Sequence, residues 1–175
     1  METGQDWKIA ALTINVYVRY FYGVKYMYSD EYFMDIALKL AEKAFYEDEI
    51  PVGAVIVRDN KIISKAYNKK DTTKLVSKHA EMIAIEKANK KLKDWRLNDC
   101  TIYVTLEPCP MCAGAIQQSR INRVVYGCAA NNKYNSDIIF EIFKNKQNNH
   151  QVSITSGVLN NKCSNLIKLF FKNKR

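Results

Sequence analysis

Two short segments of this 175-residue chain carry residue types able to hold a metal ion and move protons: His79-Ala80-Glu81 and Pro108-Cys109-Pro110-Met111-Cys112. Cysteines three residues apart at the start of a helix can point both sulfurs at one ion. A helix N-terminus also favours thiolate over thiol, through its dipole and free N–H groups. His79 likewise opens a predicted helix, so two helices starting at one end of a sheet would bring all three groups together. Zinc accepts this mixture of nitrogen and sulfur. Ligand number separates a structural site, closed by four protein ligands, from a catalytic one that keeps a position for water. The chain has only two histidines, His79 and His150, and five cysteines, at 100, 109, 112, 128 and 163. Cys100 precedes a predicted strand that would hold it roughly 20 Å from Cys109, at about 3.3 Å per residue. Cys128 and Cys163 belong to no ligand-spaced motif. Three protein ligands plus water is the expected arrangement.

Glu81 then has a clear use. Zinc draws the pKa of its water toward about 7, and a neighbouring carboxylate can take the released proton and pass it on. Taken singly these motifs say little. A lone Cys-x-x-Cys serves equally as a redox pair or half a zinc ribbon, and His-x-Glu is common on helices. In this order, His-x-Glu followed by Pro-Cys-x-x-Cys is a described signature of zinc-dependent nucleobase deaminases.

The surrounding pattern supplies elements to hold these residues. Ser29 or Asp30 can cap a helix in which Phe33, Ile36, Ala37, Leu40, Ala41 and Ala44 recur at helical spacing. Ile50-Pro51 ends that region. Strands are predicted over 52–57 and 62–67 around an Asp59-Asn60 turn, then a polar, basic loop over 69–78. A helix over 79–92, a strand over 101–106, a short helix over 110–119 and a strand over 123–127 follow. A helix over 136–143, a short strand over 152–155 and a closing helix over 160–171 complete the chain. Alternating strands and helices predict an α/β layered sheet, and the early hairpin makes it mixed. Residues 1–28 read as an extension of no assigned role, rich in tyrosine and β-branched residues, and 29–175 as the chemical domain. A targeting presequence in residues 1–27 stays open, although Glu2 and Asp6 oppose it.

Beyond the motif, Pro51-Val-Gly-Ala54, His79-Ala-Glu-Met82, Thr105-Leu-Glu-Pro-Cys-Pro-Met-Cys-Ala-Gly-Ala115 and Ser119-Arg-Ile-Asn-Arg-Val-Val-Tyr-Gly127 together resemble the tRNA adenosine deaminases of the TadA type. The resemblance spans about residues 29–175. It implies hydrolytic deamination of adenosine to inosine at the wobble position, with the tRNA anticodon stem-loop as partner. The implied fold is a three-layer αβα cytidine-deaminase-like one around a five-stranded mixed sheet, and the implied assembly a homodimer. It maps zinc ligands onto His79, Cys109 and Cys112 and the proton shuttle onto Glu81. It also maps a nucleoside contact onto Asn68, and base or oxygen contacts onto the backbone N–H groups of Ala80 and Cys109. Phe170-Phe171, within a basic C-terminal helix, also looks like that family; one ring is expected in the core and one at the RNA edge. One departure stands out. Where the family has an acidic residue after the strand ending at Gly127, this chain has Ala130, followed by Asn131 and Asn132. RNA preference is therefore expected to differ from the family's.

Composition agrees. Lys plus Arg number 27 against 18 Asp plus Glu, a formal charge of +9, which suits a polyanionic partner. The lysines of 58–78 and 160–175 form two basic runs. Five cysteines, odd in number and unevenly spread, point to a reducing compartment such as the cytoplasm. No apolar run is long enough to span a membrane. Two other functions stay open: deamination of free bases or nucleotides, which shares the motif, and a non-catalytic RNA-binding subunit, which would be expected to lack Glu81.

Overall fold

The computed structural model describes residues 27–130 and 133–174; expectations on residues 1–26 lie outside them. The described elements are α1 (Asp30–Tyr46), β1 (Gly53–Arg58), β2 (Lys61–Tyr67), α2 (Lys70–Thr73), α3 (Ala80–Leu92), β3 (Cys100–Leu106), α4 (Pro110–Gln118), β4 (Arg123–Cys128), α5 (Lys133–Lys144), β5 (Ser153–Ser156) and α6 (Asn160–Asn173). Two departures from expectation concern helices. The polar loop over 69–78 contains the single turn α2, which ends where Lys74 turns left-handed. α5 starts three residues earlier than its apolar spacing indicates.

The five strands form one sheet in the order β2-β1-β3-β4-β5. β1 runs antiparallel to both β2 and β3, whereas β3, β4 and β5 are parallel. The sheet is thus mixed, with the hairpin at one edge. Alternation along each strand sends side chains to two separate cores. Ala54, Ile56, Ile102, Val104 and Val124 pack with Ala80, Ala84, Ile85 and Ala88 of α3, Ala113 and Ile116 of α4, and Ile139 and Phe143 of α5. Val55, Val57, Tyr103 and Val125 pack with Phe33, Met34, Ala37 and Leu38 of α1 and Cys163 of α6. Two helical layers therefore enclose the sheet, the three-layer αβα arrangement. Each large apolar side chain so buried contributes about 1.5–3 kcal/mol.

Gly53 sets how closely α1 lies on β1. A Cβ there would stand 2.0 Å from the Ala37 carbonyl oxygen and 2.7 Å from the Ala41 nitrogen, so only glycine allows this approach.

One ion pair ties the start of α1 across the sheet. Ser29 is the N-cap of α1 and accepts from the Tyr32 N–H, which frees the neighbouring Asp30 carboxylate for other partners. Arg123 donates to Asp30 through both terminal nitrogens, at 3.0 and 2.6 Å, and the Tyr103 hydroxyl donates at 2.9 Å. Burial alone would raise the Asp30 pKa, but Arg123 and Tyr103 outweigh it and hold the carboxyl below the ordinary carboxylate range. A depressed folded-state pKa gives stability that is full above the unfolded value and lost as pH falls through the folded one. Asp30→Asn should therefore cost about 1–3 kcal/mol near neutral pH. The gap in urea midpoint between wild type and variant should close in acid; a gap unchanged with pH would show that the charge contributes nothing.

Candidate active site

The candidate groups meet at one end of the sheet, where β3 ends and the oppositely directed β1 begins. His79 is the N-cap residue of α3 and Cys109 that of α4, both with extended backbone, and neither side chain makes a capping hydrogen bond. Their ligand atoms are free to point outward instead. Pro110 follows at the first helical position, where the missing N–H costs nothing. One turn along α4, Cys112 faces the same way. The His79 Nδ1 lies 3.6 Å from the Cys109 sulfur and 3.5 Å from the Cys112 sulfur.

These distances test the fit to a metal. Bonds of about 2.3 Å to sulfur and about 2.1 Å to nitrogen, at a tetrahedral angle, separate the two ligand atoms by about 3.6 Å. The observed spacing matches a tetrahedral zinc. All three ligand atoms lie within 4.8 Å of one another, and this is the one such group among the described residues. The other candidates are elsewhere. Cys100 is buried at the far end of β3, and Cys128 and Cys163 lie in the core under α1 and α6. His150 is taken up by a 2.7 Å contact with the Ile121 carbonyl. All five cysteines are free. Three protein ligands would leave a fourth position for water.

The protein groups already polarise one another. A hydrogen bond from the Cys112 thiol, with help from His79, brings Cys109 down to about 4, and Cys112 is pushed up because it shares that proton. His79 is raised, chiefly by its bond to Cys109. Glu81 is raised because burial disfavours its charged form.

His79, Glu81 and Cys109 line a hollow of about 180 Å³ with Asn68, Lys70, Ile50, Val52, Leu106 and Glu107, and Cys112 is buried behind them. Apolar walls with a few convergent polar groups are the usual make-up of a small-molecule site. Asn68 sits at the end of β2, buried, and donates from Nδ2 to the Glu49 carboxylate at 3.0 Å. Ala80, also buried, is the first residue of α3, so its N–H belongs to the unpaired set at a helix start. Phe170 and Phe171 divide as anticipated in burial. Phe170 is inside, edge-on to Phe45 and beneath Lys174, so it offers no face for stacking. Phe171 is exposed and lines a second, smaller hollow with Lys168, Leu106, Ala129 and Ala130. Leu106 forms part of both walls. Ala130 donates its backbone N–H to Glu107 at 3.0 Å, and Asn131 and Asn132 lie outside the described residues.

Glu49 and Glu107 escaped the sequence reading as individual residues. Both are buried carboxylates beside the pocket. Glu107 stood inside a quoted motif, whereas Glu49 sits in an acidic run, Glu47-Asp48-Glu49, with nothing local to mark it.

Comparison with known proteins agrees with this geometry. Residues 27–128 match the family described as cytidine and deoxycytidylate deaminase zinc-binding region. The tRNA-specific adenosine deaminase of Bacillus subtilis (strain 168) is 42% identical over 149 residues, 85% of this chain and 92% of that protein. A structure from studies of A-to-I editing by tRNA:A34 deaminases at the wobble position superposes with a TM-score of 0.71. It is 33% identical and covers 77% of this chain and 98% of its own. The guanine deaminase of Bacillus subtilis, 34% identical with a TM-score of 0.58, covers 72% of this chain and 83% of its own. Fold, metal-spaced cluster and relatives converge: the chain belongs to the zinc-binding cytidine and deoxycytidylate deaminase family, with the tRNA-specific adenosine deaminases among its near relatives.

Proposed function

We propose that this protein deaminates adenosine to inosine in tRNA, at the wobble position of the anticodon stem-loop, with zinc held by His79, Cys109 and Cys112. The observation that carries the reading is the joining of His79, Cys109, Glu81 and Asn68 in a single pocket, with the Cys112 sulfur 3.5 Å from His79 Nδ1. A zinc ion on these three ligands supplies Lewis acidity that makes water a nucleophile near neutral pH. Glu81, buried next to the ligand atoms, takes a proton from the attacking water and delivers it to N1 of the adenine ring. A second proton, taken by Glu81 from the hydroxyl now on C6, goes to the amine nitrogen as the C6–N bond breaks, so adenosine and water yield inosine and ammonia. A carboxyl with a raised pKa is suited to alternate between base and acid in this way. The N–H groups of Ala80 and Cys109 bind base and oxygen at the two helix starts. Apolar Ile50, Val52 and Leu106 take the ring faces and exclude bulk water.

What favours a polynucleotide over a free base is the rim. Lys70 lines the pocket, Lys69 stands over the Tyr67 ring at 4.9 Å, and Lys168 borders the second hollow with exposed Phe171. Phosphates would meet lysines, and a splayed base would meet an aromatic face. Phe170 supports Phe171 from within. We place the protein in the cytoplasm, where tRNA and reduced thiols coexist. No helix among the described residues is long and apolar enough to cross a membrane.

We also propose a homodimer. The α4 helix carries Ala113-Gly114-Ala115, and a Cβ built on Gly114 would meet nothing within 4 Å, so this helix is open to close approach by another chain.

Four measurements check these readings. Metal analysis should find one zinc per chain, lost in Cys109→Ser and in Cys112→Ser; full retention in both would end the ligand assignment. Glu81→Ala should keep zinc and fold yet lower single-turnover deamination by at least about 10²–10⁴, the usual worth of a positioned acid–base group. Sequencing of treated total tRNA should show new A-to-G reads with wild type and none with that variant. Turnover of free guanine or cytosine in place of tRNA would instead favour the free-base reading. Light scattering at micromolar concentration should give twice the chain mass; a fully active monomer would contradict the dimer.

A further inference from the structure

Glu49 has no exposed surface, and the reaction above does not use it. It stands in the turn between α1 and β1. The hydrogen bonds to its carboxylate come from the segment framing the pocket: Asn68 Nδ2 at 3.0 Å, the Asp71 N–H at 3.1 Å and the Thr72 N–H at 2.6 Å. Burial pushes the Glu49 carboxyl up, but the N–H groups of Thr72 and Asp71, with the Thr72 side chain, hold it below its ordinary range. A carboxylate accepts and does not donate, so the nitrogen of the Asn68 amide must face it. The amide oxygen is then turned away from Glu49. It takes no hydrogen bond from the described residues, and it is not a sealed, unpaired atom either. Asn68 lines the pocket, and the pocket is where that oxygen has room to find a partner.

The identity of the partner follows from the chemistry of the substrate. Adenine N3 and N7 only accept hydrogen bonds. The donors on adenosine are the exocyclic amine, which the reaction directs to Glu81, and the ribose hydroxyls. Within an RNA strand the 3′ and 5′ oxygens are esterified, which leaves the 2′-hydroxyl. We infer that Glu49 is a positioning residue: it locks Asn68 with its amide oxygen toward the pocket, so that Asn68 reads the ribose 2′-hydroxyl of the target nucleoside and not a ring nitrogen. This rests on the proposal that the substrate is adenosine within RNA.

The test is single-turnover deamination of matched RNA hairpins whose target residue is adenosine, 2′-deoxyadenosine or 7-deazaadenosine. Wild type should prefer the 2′-hydroxyl over the 2′-deoxy target by about threefold to tenfold, the worth of one neutral hydrogen bond. Asn68→Ala should abolish that preference. Glu49→Gln, which keeps size but lets the facing amide turn, should abolish it too, with zinc content retained and the chain still folded. Asn68→Asp sets two carboxylates face to face and should lose activity. Adding Glu49→Gln to it restores a donor–acceptor pair with oxygen toward the pocket, and should restore activity and the preference for the 2′-hydroxyl. An unchanged preference in Glu49→Gln would reduce Glu49 to a structural anchor and overturn the inference alone. The wild-type arm stands even if Glu49→Gln does not fold: a 7-deaza penalty that Asn68→Ala removes would show the amide nitrogen facing the base and overturn the inference. Wild type that leaves every hairpin untouched while turning over free bases would overturn the RNA reading, and this inference with it.

Discussion

Three ligand atoms within 4.8 Å of one another come from two helices whose starts are thirty residues apart in sequence, and most of the architecture serves to hold that distance. His79 is the cap of α3 and Cys109 the cap of α4. Both helices lie on the same face of the sheet, packed through Ala80, Ala84 and Ala88 on one and Ala113 and Ile116 on the other. Small residues at these contacts let the helices sit low on the strands, so their starts are fixed by strand ends and not by flexible loops. The arrangement has a cost in stability. Ser, Thr, Asp or Asn at a helix cap contributes about 0.5–2 kcal/mol through a side-chain bond to the first turn, and neither His79 nor Cys109 makes one. Both cap positions are given over to groups able to hold a metal ion, and the core beneath has to make up the difference.

The mixed order of strands matters for the same reason. Because β1 runs opposite to β2 and β3, the start of β1, the end of β2 and the end of β3 all fall at one end of the sheet. Asn68 follows β2, Val52 precedes β1, and Leu106 and Glu107 close β3. An all-parallel sheet would have placed the entry and exit of these strands at opposite ends. The hairpin thus brings Asn68 to the helices that start at His79 and Cys109, which share no local sequence with it.

Much of this could be read before any coordinates. Short apolar, β-branched runs and the Asp59-Asn60 turn marked the strands, the helical spacing of Phe33, Ala37 and Ala41 marked α1, and the ligand types and spacing marked the triad. These signals are local and periodic. α2 is a single turn, too short to show a period, and lies among lysines and threonines that favour no element strongly. Glu49 was illegible for another reason. A glutamate beside Glu47 and Asp48 reads as a solvated surface charge, and only the return of the chain at Asn68, Asp71 and Thr72 makes it a buried acceptor. Phe170 and Phe171 show the limit between the two cases: helix geometry requires adjacent residues to point apart, but not which of them faces the core.

Glu49 and Glu107 solve one physical problem in two places. Segments that border the pocket run without strand partners, so their backbone N–H groups need acceptors once buried. Glu49 takes those of Asp71 and Thr72, and Glu107 takes that of Ala130. Each carboxylate projects from a short stretch next to a strand, so rigidity passes from the sheet to the rim. Contact through the backbone is also indifferent to the side chain at the far end. The bond from Ala130 to Glu107 would form whatever residue other than proline stood at 130. The stretch after β4 can therefore change what it presents toward the second hollow, as it does where alanine stands in place of the acidic residue typical of the tRNA adenosine deaminases, while its attachment to the site stays the same.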